Sequence, residues 1–269
     1  MLAAVISALL SACAPVIPPE TVPAVTIRPV TEPTTEPTTE ATTEPTTEPT
    51  TEPTTLPATI PEHSELYLPG VPVEDVILWF REVCLDSEYI NSGDPSVIQK
   101  WAEPIVWYGF GEPTEADLQV LADFCHWLNG IPGFPGIREA EAPYEANLRI
   151  HFCSAEELLS IMGSDFVGAD GGVTFWYSGA DEIYDAQICI RKDLDQHLRN
   201  SVILEELYNG LGPIQDTSLR SDSIITQEYA EPQSLSEVDK LILELLYHPD
   251  MLCGLGAESC EAVIRYLYY

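Results

Sequence analysis

Five residues in one short stretch carry side chains that could do chemistry together: Glu205, Glu206, Asn209, Gln215 and Asp216. Glu205 and Asn209 are spaced i and i+4, so a helix sets them one turn apart on one face, with Glu206 beside them. Gly212-Pro213 stops such a helix and turns the chain, which lets Gln215 and Asp216 come back toward the same place. The donors are oxygens and amides only. A carboxylate in such a set can act as a general acid or base; Glu206 is the candidate for that role, with Glu205, Asn209, Gln215 and Asp216 lining a cleft around it. Oxygen donors suit calcium, magnesium or manganese better than zinc. One carboxylate with two amides is nevertheless a weak calcium set, so neither a metal nor a cofactor is expected. Histidine does not supply the missing nitrogen. His197 stands eight residues before Glu205, about 12 Å along a helix axis, and His63, His126, His151 and His248 show no HxxxH spacing. The plainer alternatives are a capping or buried structural carboxylate for Glu206 and a solvated helix face for Glu205 and Asn209.

The seven cysteines divide into one and six. Cys13 ends Leu10-Ser11-Ala12-Cys13 after an apolar run from Leu2 to Leu10, which has the form of a bacterial lipobox. The run is too short to span a bilayer. It predicts a signal peptide over residues 1–12, cleavage before Cys13, a lipid on its thiol, and an exported chain anchored to the outer face of a bacterial cell membrane. No Lys or Arg precedes the apolar run, so the natural start is expected a few residues upstream. Outside the cell an even number of cysteines invites disulfides, and Cys84, Cys125, Cys153, Cys189, Cys253 and Cys260 are the candidates. Cys253 with Cys260 is the best local pair; Cys153 with Cys189 could bridge neighbouring strands, and Cys84 and Cys125 both lie on apolar helix stripes. No CxxC spacing occurs, which argues against a finger-type zinc site. Neither Ser201 nor Cys189 has a nucleophile-elbow context, which excludes the usual serine and cysteine hydrolases.

Residues 13–62 read as a stalk. Thr-Glu-Pro-Thr repeats with period four from Thr31 to Thr55, broken once at Ala41. Proline and glutamate at this density leave little to bury against the cost of ordering the chain. In extended form, at about 3.1 Å per residue, the stalk reaches about 150 Å. The remaining span, 63–269, is long enough for one domain with a sizeable core. The whole chain carries a formal charge of −33; eight acids and one arginine precede residue 63, which leaves about −26 for the folded part. Such a surface repels nucleic acid and anionic lipid and suits cationic partners or divalent ions; the plainer alternative is simply a soluble acidic surface.

The patterning of the folded part predicts helices, then a short sheet, then helices, an α+β order. Helices are expected over Val73 to Glu88 (closed by Asn91-Ser92-Gly93), Glu115 to Asn129, Ser154 to Met162 with Glu157 in a capping box, Asp195 to Leu211, Ser236 to Tyr247 introduced by Ser234, and Ala257 to Tyr268. Strands are expected within Lys100 to Phe110, over Asn147 to Cys153, Gly172 to Tyr177, and Ile183 to Arg191. Trp101, Trp107, Tyr108 and Trp127 are core candidates that could instead form a carbohydrate-stacking platform.

The run Leu204 to Gly212 with Gln215 resembles the active-site helix of the metzincin zinc proteases, His-Glu-x-x-His-x-x-Gly-x-x-His after a small mixed sheet. Glu205, Asn209 and Gln215 fall on the three His positions, Glu206 on the general base, and Gly212 on the Gly. Ser223-Ile224-Ile225 is similar to the Ser-x-Met of the Met-turn, with Ile225 in place of Met. Ile183 to Ile190 resembles the antiparallel edge strand along the substrate cleft. Over about residues 147–248 the chain looks closest to an uncharacterised family of secreted bacterial proteins of metzincin-like fold, which read Glu-Glu-Leu-x-x-x-Leu-Gly, then an Asp, and later Asp-x-x-x-x-x-x-Leu-Tyr; Asp239 to Leu246-Tyr247 has that last form. The resemblance implies a metzincin-like domain stripped of zinc ligands. It would be a pseudoenzyme that binds a peptide or envelope partner in the old cleft, by strand addition to the edge strand. A hydrolase with a non-zinc carboxylate site and a structural adhesion module are the alternatives.

Overall fold

The computed structural model describes residues 64–85 and 96–269. The expected signal peptide, Cys13 and the expected stalk fall outside the described residues, as does 86–95, which holds the expected tail and stop of the first helix. Among the described residues no helix is long and apolar enough to cross a membrane.

Helix α1 (Val73–Cys84) buries Val76, Phe80, Val83 and Cys84. The aromatic stretch after it splits into β1 (Lys100–Trp101) and β2 (Ile105–Phe110). Helix α2 (Glu115–Leu128) starts from a Thr114–Asp117 capping box. Next comes β3 (Ile137–Glu139), which no sequence pattern announces. It pairs with β2, and the α2 cap residue Asn129 holds its first residue: the Asn129 side chain donates to the Ile137 carbonyl at 2.9 Å and accepts the Ile137 N–H at 2.8 Å. Strand β4 (Leu148–Cys153), helix α3 (Ala155–Met162) with the expected Ser154–Glu157 box, β5 (Gly171–Tyr177), β6 (Glu182–Arg191) and α4 (Gln196–Asn209) follow. The chain ends with α5 (Glu237–Tyr247) and α6 (Ala257–Leu267). Helix α5 is capped by Ser236, not Ser234: Ser236 accepts from the Asp239 N–H, and Asp239 returns the bond.

The result is an α+β domain on a six-stranded sheet, ordered β1-β6-β4-β2-β3 with β5 also on β6. All pairings are parallel except β5 with β6. This corrects the edge expected from sequence. Strand β6 lies inside the sheet, and the antiparallel edge is β5. The reason is burial: Ile183, Ala186, Ile188, Cys189 and Ile190 of β6 are each at most 1% exposed, a two-faced burial that central strands have.

Consecutive residues of β5 show what covers each face. A β-carbon on Gly171 would meet Val202 and Glu206 of α4, and one on Gly172 would meet Phe166 and Met162 at the α3 side. So α4 covers one face and α3 the other. Helix α4 is buried almost all round from Ser201 onward. Trp101 and Trp107 lie in the core at 1% and 5% exposure, and Trp127 stacks on Phe124, so the four aromatics form no open platform.

Candidate functional site

Helix α4 is aimed by contacts at both of its ends. Asp195 caps its start by accepting from the His197 and Leu198 N–H groups. Arg199, 7% exposed, donates to Asp117 at 2.8 Å, which locks the helix to α2. At the far end Trp101 Nε1 donates to the Gly210 carbonyl at 2.9 Å and Tyr247 Oη to the Leu211 carbonyl at 2.8 Å. Gly212 then turns the chain at φ 129°, where a β-carbon would lie 2.5 Å from the Gln99 carbonyl oxygen. That approach leaves room for glycine alone.

The chain beyond Gly212 is pinned to α1. Ile214 N–H donates to the Val83 carbonyl at 2.9 Å, and the Glu82 carboxylate accepts from Thr217 Oγ1 and from both the N–H and Oγ of Ser218. Residues 217–226 close as a loop on a Thr217–Thr226 bridge. It carries Ser223, Ile224 and Ile225, all at most 3% exposed. Asp239, 1% exposed, anchors that loop: it accepts from Ser223 Oγ at 2.7 Å, Ile224 N–H at 3.0 Å, Arg220 at 3.0 Å and Ser236 N–H at 3.1 Å. Its own carbonyl accepts from Tyr208 Oη of α4 at 3.0 Å. The loop, α5 and α4 are thus tied through one residue, the loop by its carboxylate and α4 by its backbone carbonyl. Sequence reasoning placed Asp239 in a family pattern and gave it no such role; Glu82 was not singled out at all.

Glu206 and Asn209 are 1% and 0% exposed, while Glu205 and Asp216 are partly exposed. The solvated face expected for Asn209 is not found. Glu206 Oε2 and both ends of the Asn209 amide are buried with no hydrogen-bond partner among the described residues. Burial, then the Asp216 and Asp170 carboxylates, push Glu205 from 4.5 up to about 8. Burial, then Glu205 and Asp216, hold Glu206 well above the ordinary range. Among the described residues neither Glu205 nor Glu206 forms an ion pair, whereas Asp170 pairs with Arg191 at 3.1 Å. The structure thus brings Glu205, Glu206 and Asp216 together, adds Asp170, and sets Asn209 against them in the same last turns of α4. The Gln215 amide leans on the Asp216 carbonyl at 3.5 Å. His197 lies exposed in the first turn of α4, near Glu231.

A zinc ion does not fit this set. Glu205, Asn209 and Gln215 offer one carboxyl and two amides. Among the described residues no group of three His, Cys, Asp or Glu is arranged to hold a metal ion. The six cysteines of the domain are free thiols. Cys153 and Cys189 lie close enough to hydrogen-bond, and Cys84 has Cys260, not Cys125, as its thiol neighbour.

Fold and site define an α+β domain built around a buried, acid-bearing helix. Residues 74–266 match the model of the family described as a protein of unknown function (DUF2927), and the chain belongs to that family. The comparison with curated proteins gave no match.

Proposed function

We propose that the chain is a surface lipoprotein whose metzincin-like domain lacks zinc ligands and binds a basic peptide or envelope segment at the mouth of its carboxylate cluster. Several features support a metzincin-like origin. A parallel sheet with one antiparallel edge strand precedes the helix bearing Glu205-Glu206-x-x-Asn209. That helix ends in a Gly212 turn, and a buried Ser223-Ile224-Ile225 loop follows. The observation that carries the binding reading is the convergence of Glu205, Glu206, Asp216 and Asp170 with no cation paired to either glutamate. Glu205 and Asp216 remain partly exposed, so a lysine or arginine from outside can reach them. Main-chain pairing along β5 is a lesser contribution, because Gly171 to Phe175 are buried and exposure resumes only at Trp176 and Tyr177.

The test is titration of fluorescent octapeptides containing one central lysine, against the same peptides with that lysine acetylated. Basic peptides are expected to bind, more tightly as pH rises from 6 to 9 and Glu205 ionises, and several-fold more weakly to Glu205→Gln or Asp216→Asn. Equal binding of the acetylated peptides, or no binding of either, refutes the reading. One observation favours a hydrolase instead: a carboxyl titrating near pH 8 beside a protonated one is an acid–base pair. Cleavage of peptides by chelator-treated protein, lost in Glu206→Gln, would select that alternative.

A further inference from the structure

On the sheet face opposite the carboxylate cluster, α3 covers a small separate core that contains both Cys153 and Cys189. Cys153 is the last residue of β4 and stands immediately before the Ser154 cap of α3. It lines a cavity of about 190 Å³ between the ends of β2 and β4 and helix α3. Phe110 and His151 form the inner wall as a stacked pair 4.9 Å apart. Glu157, Ser160 and Lys192 border the cavity, and all three are exposed. A solute can therefore reach the cavity across this rim. His151 Nε2 is buried there with no hydrogen-bond partner. Burial, then Arg149, lower the His151 pKa and keep the imidazole neutral. Cys189 is 0% exposed and lies behind Cys153, within hydrogen-bond reach of its sulfur.

We propose that Cys153 and Cys189 form a thiol–disulfide exchange site, in which a small disulfide entering the cavity reacts at Cys153 and Cys189 resolves the adduct. The two thiols differ in the way the two steps require. Cys153 Sγ donates to the Ile190 carbonyl at 3.8 Å; the neighbouring Cys189 thiol lowers the Cys153 pKa against the opposing effects of burial and Glu157, and Lys192 adds to the lowering. The start of α3 favours negative charge at the same sulfur. Cys189 is pushed the other way, by its bond to Cys153 and by burial. The Cys153 thiolate attacks one sulfur of the incoming disulfide, forming a mixed disulfide and expelling one small thiolate. Cys189 then gives up its proton, and its sulfur attacks Cys153 Sγ, closing the Cys153–Cys189 bond and expelling the second thiolate. Both protein protons end on the two small thiols. Two electrons pass from the protein to the small disulfide.

The sheet register decides how firm the product is. Cys153 faces Arg191 and Cys189 faces His151, a diagonal offset of two residues. In a parallel pair such a diagonal runs one strand spacing across and two residues along, about 8 Å between α-carbons, beyond the span that a relaxed bridge accepts. Closing the bond needs a small backbone shift, and a bridge held under strain is readily reduced again. The site is therefore reversible.

The test treats the reduced full chain with oxidised glutathione, quenches by alkylation over time, and maps the peptides. In the wild type a glutathionyl adduct on Cys153 is expected first, then the Cys153–Cys189 disulfide, which excess reduced glutathione reopens. Cys84, Cys125 and Cys260 are buried and are expected to stay free of glutathione, and so to be alkylated once the quench unfolds the chain. Cys189→Ser is expected to stop at the Cys153 adduct, and Cys153→Ser to leave Cys189 unmodified. The time course in the wild type gives the order without relying on either variant folding, and near-UV circular dichroism checks the variants. An adduct appearing first on Cys189 would overturn the proposal. So would native protein that forms no bridge while urea-unfolded chain reacts fully.

Discussion

Neutralising Glu205 should stabilise the protein, and only above acid pH. A carboxyl whose pKa is higher folded than unfolded binds its proton more tightly in the native state. Its presence is therefore harmless below the unfolded value of 4.5 and increasingly costly as pH rises toward about 8. At 1.36 kcal/mol for each pH unit, the rise is worth about 5 kcal/mol in full, about 3 kcal/mol at pH 7 and about 4 kcal/mol at pH 8. Glu206 is raised in turn by Glu205 and by the Asp216 charge, so the measured loss belongs to the cluster and is spread over a wider pH range. Glu205→Gln keeps the shape and removes the charge. The assay is urea unfolding of both proteins at pH 4.5, 7 and 8. With a slope of about 3 kcal/mol per M, the variant midpoint should exceed the wild-type midpoint by about 1 M at pH 7 and coincide with it at pH 4.5. A variant less stable than wild type at pH 8, or a gap that does not change with pH, refutes the reasoning about the cluster.

Asp239→Ala removes four acceptor contacts and the buried partner of Arg220, which is 7% exposed and keeps Asp222 and Ser236 Oγ. Breaking a buried ion pair costs about 3–5 kcal/mol, which should lower the melting temperature by about 6–20 °C in a domain of this size. Gly171→Ala puts a β-carbon 2.5 Å from Val202 and 2.7 Å from Glu206 Oε1; a loss of about 1–3 kcal/mol is expected from overpacking, measurable by the same unfolding curves. Domain purified without added metal should carry far less than stoichiometric zinc by elemental analysis, and chelators should leave its melting unchanged. A tagged fatty acid should label the chain in bacterial cells and fail to label Cys13→Ser; label that survives the substitution excludes Cys13 as the anchor.

Local chemistry carried much of the fold. The Thr114 and Ser154 caps, the apolar stripes of α1, α2 and α5, and the alternation in β4 each act within a few residues, so their elements stand where sequence puts them. The identity of the edge strand was not legible in the same way. Strands β5 and β6 are both apolar, and their places follow from which partners each finds, a property of pairing between distant segments. Strand β3 rests on pairing with the distant β2 and on Asn129 reaching across a turn. In the site, spacing alone brought Glu205, Glu206 and Asn209 to one end of a helix and withheld every imidazole from the ligand positions. Burial then decided what those residues are. A helix that looks half polar in sequence lies between the sheet, α2 and α5, so Asn209 and Glu206 lose their water instead of meeting it. The cavity beside Cys153 was likewise invisible, since its walls come from β2, β4 and α3 and meet only in the fold. Residue types set which charges and thiols this chain possesses; tertiary packing, by removing solvent and bringing distant carboxylates and sulfurs together, set their protonation and their partners.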